Sequence, residues 1–154
     1  MFLKQKQGNL EIITRGEGFT NITSLINSWI LEQQILEGVI FITALHTSCS
    51  LTINENADKR VLDDLTNYFN AIVPEKEFYG LTNNNNKIQY KHSEEGLDDM
   101  PAHIKTALTT TTLSLSIKNR KLVLGTWQAI YLWEHRYSKN SRRLNLHALG
   151  EFIY

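Results

Sequence analysis

The chain is poor in the residues that staple or break small folds. Among 154 residues there is one cysteine, Cys49, and there are two prolines, Pro74 and Pro101. A single thiol excludes an intrachain disulfide, so an apolar core must hold the fold, and a chain of this length can build one. Charge of one sign is missing too. Sixteen basic and 16 acidic side chains give a formal net charge of +0. That removes the long-range field that would gather nucleic acid or an anionic membrane. No apolar run approaches the roughly 18 residues of a membrane-spanning helix. Met1 to Lys6 carry no apolar signal core. There is no glycine-rich nucleotide loop and no Gly-x-Ser-x-Gly elbow. These absences predict a cytoplasmic protein with no nucleic-acid or membrane partner. Without a secretion route, the glycosylation sequon at Asn21-Ile22-Thr23 is a chance match.

What is present reads as one domain over residues 1–154, with no repeat and no linker. Gly8-Asn9 between Phe2–Gln7 and Leu10–Thr14 predicts a β-hairpin. Ile22, Leu25, Ile26, Trp29 and Ile30 form a stripe at helical spacing within a helix from Asn21 to Gln34. Thr20 or Asn21 would cap it, and Gly38 would mark its stop. Val39–Leu45 reads as a strand buried on both faces. A second helix is predicted over 58–72, with Val61, Leu62, Leu65, Phe69 and Ile72 inward and Pro74 closing it. Asn83–Asn86 reads as a mobile loop tip, and 101–108 as a third helix. Leu113–Ile117, Leu122–Trp133 and Leu144–Leu149 read as strands. Helices and strands do not alternate strictly, which predicts an α+β fold with a mixed or antiparallel sheet and two to three helices.

Polar chemistry concentrates in three segments: 46–58, 92–105 and 125–143. His46, His92, His103 and His135 lie near element ends, and neutral imidazole is the commonest metal ligand. No pair has zinc-finger or zinc-helix spacing, so spacing alone favours hydrogen-bonded structural histidines. One of Asp98 and Asp99 would cap the third helix, which frees the other to orient His103. Glu55 is either a solvated loop acid or a carboxylate held at a strand end. On the strand after Gly125, alternation sets Trp127, Ala129, Tyr131, Trp133 and His135 on one face. It sets Gln128, Ile130, Leu132, Glu134 and Arg136 on the other. A buried Glu134 needs a cation, which Arg136 or Arg143 could supply. Arg136, Lys139, Arg142 and Arg143 form a local basic patch suited to a phosphate or carboxylate. Cys49 reads as a small buried thiol, because residues 46 and 49 of one strand point to opposite faces.

Four motifs in order bring a family into view. They are His46-Thr47-Ser48-Cys49-Ser50-Leu51, Asn54-Glu55-Asn56-Ala57-Asp58 and Asp98-Asp99-Met100-Pro101-Ala102-His103-Ile104-Lys105. The fourth is Leu124-Gly125-Thr126-Trp127-Gln128-Ala129-Ile130-Tyr131 with Glu134-His135-Arg136. Over roughly residues 10–152 the chain resembles the YjbQ-like family, to which a secondary thiamine-phosphate synthase activity has been attributed. The resemblance implies an α+β homotrimer, with a metal ion in some members. Carried over, the candidate metal ligands are His46, His92, His103 and His135. The candidate catalytic groups are Glu55, Asp99, Gln128 and Glu134. Thr47, Ser48, Lys105, Arg136 and Arg143 would hold a small phosphorylated or anionic ligand. A histidine-rich set favours zinc or another transition metal over Mg²⁺. The Trp127/Tyr131/Trp133 face could supply contact area for the trimer. Arg120 stands where the family has glycine in a hairpin turn, and 109–112 lacks a glycine usual there. Two functions follow: an enzyme acting on a small anionic substrate, or a non-catalytic homotrimer that binds metal or a small ligand.

Overall fold

The computed structural model describes residues 4–80 and 86–153. Its strands are β1 (Lys4–Ile13), β2 (Gly18–Asn21), β3 (Ile35–Ala44), β4 (Cys49–Glu55), β5 (Glu77–Tyr79), β6 (Lys87–Gln89), β7 (Thr112–Lys118), β8 (Lys121–Leu122), β9 (Gln128–Glu134) and β10 (Ser141–Phe152). Its helices are α1 (Thr23–Glu32), α2 (Lys59–Ile72) and α3 (Asp99–Leu108). One sheet runs β1-β10-β3-β7-β8, another β2-β9-β4, and β5 pairs with β6. Every ladder is antiparallel. The chain is therefore an α+β protein, as predicted.

Strand alternation builds the core. On β10, Leu144, Leu146 and Ala148 face inward and meet Ile40 and Ile42 of β3. Leu51, Ile130 and Leu132 come from the β2-β9-β4 sheet, Ile26, Trp29 and Ile30 from α1, and Ile22 from the residue that precedes it. Apolar burial of this extent is the main stabilising term.

Five expectations are corrected. No hairpin forms at Gly8-Asn9, because β1 runs unbroken along β10, with Gly8 opposite Leu146. A Cβ on Gly8 would sit 2.6 Å from the Trp29 indole nitrogen, so this glycine makes room for α1 rather than for a turn. Gly38 does not stop α1. The chain leaves the helix through Gln34 at φ 59°, and Gly38 lies inside β3 opposite Gly150. A Cβ on Gly38 would lie 2.1 Å from the Leu149 carbonyl oxygen. β3 is buried on one face only: Ile40 and Ile42 are fully buried, but Val39 and Phe41 are each 40% exposed. On α2 no residue is fully buried, and Ile72 is 49% exposed. The segment read as one strand over 122–133 is broken by a turn in which Gln128 N donates to Gly125 O at 3.0 Å. Most of the asparagine run, Asn83–Asn85, lies outside the described residues.

The β7–β8 turn keeps the strain expected of it. Asn119 and Arg120 sit at φ 52° and 63°, and a residue with a Cβ pays about 1–2 kcal/mol there. Arg120→Gly should therefore raise the unfolding free energy by about 1 kcal/mol, net of glycine's greater unfolded-state freedom. Chemical denaturation measures this, and an unchanged or lower midpoint would count against the strain argument.

Candidate functional site

α3 begins where the third polar motif predicted, but neither aspartate caps it with its side chain. Both carboxylates turn toward Arg136 instead. Arg136 Nε donates to Asp98 Oδ2 at 2.9 Å, and Nη2 donates to Glu95 O at 2.9 Å. Its Nη1 contacts Asp99 Oδ1. Burial opposes the Asp98 charge, but the Tyr137 amide and the Arg136 guanidinium outweigh it and hold the carboxyl below its usual range.

Asp99 is 2% exposed, and its other oxygen, Oδ2, faces two imidazoles. His92 Nε2 lies 2.6 Å away and His103 Nε2 3.5 Å away. One ligand atom from each of His92, Asp99 and His103 fits within 4.8 Å of the others. His103 Nδ1 lies 2.9 Å from the Thr47 carbonyl oxygen. A carbonyl only accepts, so Nδ1 carries a proton toward Thr47 O, and Nε2 is the nitrogen that faces Asp99.

Beneath this cluster lies a buried polar network. Arg142 Nε donates to Glu134 Oε2 at 2.7 Å, and Nη2 also contacts this carboxylate. Thr14 Oγ1 donates to Oε2 at 2.8 Å, and Arg136 N donates to Oε1 at 3.1 Å. Arg142, rather than Arg136 or Arg143, is therefore the side-chain cation paired with Glu134. The signal was available: alternation sets residues 142, 144, 146 and 148 on the core face of β10. Nothing local marks Thr14, which arrives from the far end of the chain. Ser50 was likewise missed; its hydroxyl lies 2.9 Å from His135 Nε2, and His135 Nδ1 has no hydrogen-bond partner among the described residues.

The chain from 46 to 48 joins the two layers. Thr47 O holds His103, and Ser48 O accepts from Arg142 Nη2 at 3.3 Å and from His135 N at 3.4 Å. His46 Nε2 accepts from Arg143 N at 2.7 Å. Burial, then Arg142, lowers the His46 pKa, which suits this neutral acceptor. Burial raises the Cys49 thiol to about 11 and leaves it unreactive near neutrality.

Other candidates fall elsewhere. Lys105 is buried, with Nζ 2.6 Å from Glu17 Oε1 and in contact with Asn70 Oδ1. Arg143 points away from the core on β10, opposite in phase to Arg142. The basic patch is thus split among separate partners. The register Cys49↔Glu134 and Glu55↔Gln128 sets Glu55 and Gln128 six residues along β9 from Glu134, roughly 20 Å away. The aromatic face is mostly covered within the chain. Trp133 is 4% exposed and stacks on Phe19 at 4.5 Å, whereas Trp127 is 65% exposed.

Burial first, then the charges of Lys105 and Arg142, drives the His135 pKa down to about 3. Protons therefore prefer the unfolded chain, where the value is near 6.5. Stability falls as pH drops from about 6.5 toward about 3. At about pH 4.5 the loss from this one residue is roughly 2–3 kcal/mol. His135→Asn should flatten that part of the pH dependence. Urea midpoints at two pH values, wild type against variant, test it; parallel pH slopes would refute it.

Fold and cluster together define a small antiparallel α+β protein with a buried carboxylate between two imidazoles. Residues 8–151 match the family model of the UPF0047 protein YjbQ-like family. The chain belongs to that family. It is 42% identical to a UPF0047 protein of Synechocystis sp., over 96% of this chain and 94% of the relative. It is 36% identical to the UPF0047 protein YjbQ of Escherichia coli O157:H7, over 94% of this chain and 98% of the relative. Among solved structures, an uncharacterised YjbQ/UPF0047 protein of Clostridium acetobutylicum superposes with a TM-score of 0.74 at 28% identity. That match covers 96% of this chain and 99% of the other. A YbjQ-like protein of unknown function from Sulfolobus solfataricus shares the fold, with a TM-score of 0.80 at 19% identity and coverage of 97% and 100%. No helix among the described residues is long and apolar enough to cross a membrane.

Proposed function

We propose that this protein is an enzyme that holds a divalent transition metal on His92, Asp99 and His103 and acts on a small phosphorylated or anionic substrate. One observation carries the reading: three ligand atoms of the right chemistry lie within 4.8 Å of one another. Two imidazoles and a carboxylate suit zinc or a similar metal better than Mg²⁺. Three protein ligands leave a coordination position open, as catalytic rather than structural sites do. The His92 side chain is 47% exposed, so that position can meet solvent and substrate. The Thr47 carbonyl fixes the His103 tautomer, which is the usual outer support of a metal-bound imidazole. When bound, the metal supplies a Lewis acid for a phosphoryl or carbonyl oxygen.

The chain's own residues orient the centre. Arg136 holds Asp99 through Oδ1 and so aims Oδ2 at the imidazoles. Arg136 and Lys105 are already paired with protein carboxylates. An anionic substrate would therefore draw its attraction mainly from the metal. Thiamine-phosphate formation, which releases a diphosphate, is the reaction of this class to assay first. The proposed working form is a cytoplasmic homotrimer.

Calorimetric titration of chelator-stripped protein with zinc tests the reading. It should show one ion per chain, and thiamine-phosphate formation should return with the metal. A full rate in the stripped protein would remove the metal from the reaction. Binding without any turnover across phosphorylated substrates would favour the non-catalytic alternative.

A further inference from the structure

At the opposite end of β4 and β9 lies a cleft of about 590 Å³ lined by Ile53, Asn54, Glu55, Ala57, Trp127 and Gln128. That volume lies within the range of small-molecule sites. We propose that it binds a planar, amino-bearing heterocycle, stacked on Trp127 and hydrogen-bonded by Glu55, Gln128 and Asn54. The site is independent of the metal cluster, which lies near the other end of these strands.

The tryptophan is the first argument. Trp29 and Trp133 are 7% and 4% exposed, as indoles in a folded chain usually are, but Trp127 is 65% exposed. Its backbone is nevertheless held firmly. Asn56 N donates to Trp127 O at 3.0 Å, and Asn56 Nδ2 donates to Gln128 O at 3.3 Å. The turn closes through Gln128 N to Gly125 O at 3.0 Å and Gly125 N to Gln128 Oε1 at 2.8 Å. A large ring on a fixed loop is a preorganised platform, and stacking on it loses little conformational freedom.

The polar lining is the second argument, and it specifies the ligand. Gly125 N is a donor, so Gln128 must give it the amide oxygen and keep Nε2 free. Glu55 N likewise takes Asn54 Oδ1 at 2.8 Å and leaves Nδ2 free. Glu55 Oε1 accepts from Asp58 N at 3.2 Å, which leaves Oε2 as an open acceptor. The cleft therefore offers one carboxylate acceptor with two amide donors. The complement is a ring amine next to ring nitrogens or a carbonyl. A purely apolar partner would leave these groups unpaired, which is costly.

The exposed indole also provides the readout. The full-length protein is titrated with adenine and with cytosine, following tryptophan emission and its quenching by iodide, with hypoxanthine and uracil as oxo analogues. Saturable protection from iodide by an amino-bearing base is expected, with the matched oxo analogue at least tenfold weaker. Trp127→Ala, followed by calorimetry, should weaken binding at least tenfold, and Glu55→Gln should erase most of the amino-over-oxo preference. Melting curves confirm that both variants fold. Equal binding of amino and oxo rings, or no saturable protection, would overturn the proposal. So would shielding of Trp127 that rises with protein concentration in the absence of base, because a second copy would then cover the cleft.

Discussion

Glu134→Ala is expected to lower the unfolding free energy by about 3–5 kcal/mol, the usual cost of removing one partner of a buried ion pair. For a chain of this size that amounts to a drop in Tm of roughly 10 °C or more. Glu134 and Arg142 are 1% and 5% exposed. Four donor contacts converge on the carboxylate, from Arg142 Nε and Nη2, Thr14 Oγ1 and Arg136 N. Alanine would leave a buried guanidinium whose remaining partner is Ser48 O, and water cannot easily replace the loss. The charge, rather than the volume, should dominate. The double change Glu134→Leu with Arg142→Met should therefore recover most of the stability, because a packed apolar pair carries no desolvation cost. Guanidinium denaturation of the two variants decides this. A single variant within 1 kcal/mol of wild type, or a double variant worse than the single, would refute the charge argument. Loss of the network should also loosen the 46–48 segment and weaken the support that Thr47 O gives His103.

Much of the fold was legible because it is written in short-range periodicity. The α1 stripe, the start of the second helix at Asp58, the start of α3 at the DDMPAH motif and strands β7 and β10 follow from spacing alone. Asp58 does accept from Arg60 N at 2.9 Å, as a capping aspartate should. The errors share another cause: the decisive neighbour is distant in sequence. Gly8 reads as a turn until Trp29 is seen against it, and Gly38 reads as a helix stop until Gly150 is seen opposite. One of Asp98 and Asp99 reads as a cap until Arg136 arrives from 38 and 37 residues away. Within the candidate site, the motifs supply residue types but not the grouping. Four histidines were expected in one hollow with Glu55 and Gln128. Instead two share Asp99, two serve backbone or buried partners, and the register of β4 with β9 carries Glu55 and Gln128 to the other end. Motif order says nothing about how far along a strand two residues lie.

His103→Ala should abolish most metal affinity, by about 100-fold or more, while leaving the fold nearly intact. Removing even an outer support of a metal ligand typically costs 10- to 100-fold, and a ligand itself should cost at least as much. His103 is only partly covered, with 32% of its side chain exposed, so its core contribution is small and the stability change should stay within about 1 kcal/mol. Asp99→Asn keeps the shape but removes the charge between the two imidazoles, and should weaken binding comparably. The informative comparison is with His46→Ala. His46 Nε2 already accepts from the Arg143 amide at 2.7 Å, so its loss should disturb a local loop and leave zinc affinity within a few-fold of wild type. Calorimetric zinc titrations of the three variants at one pH separate the possibilities. If His46→Ala costs as much affinity as His103→Ala, the centre must include the 46–48 segment directly. The role of Thr47 O would then change from holding a ligand to lying beside one.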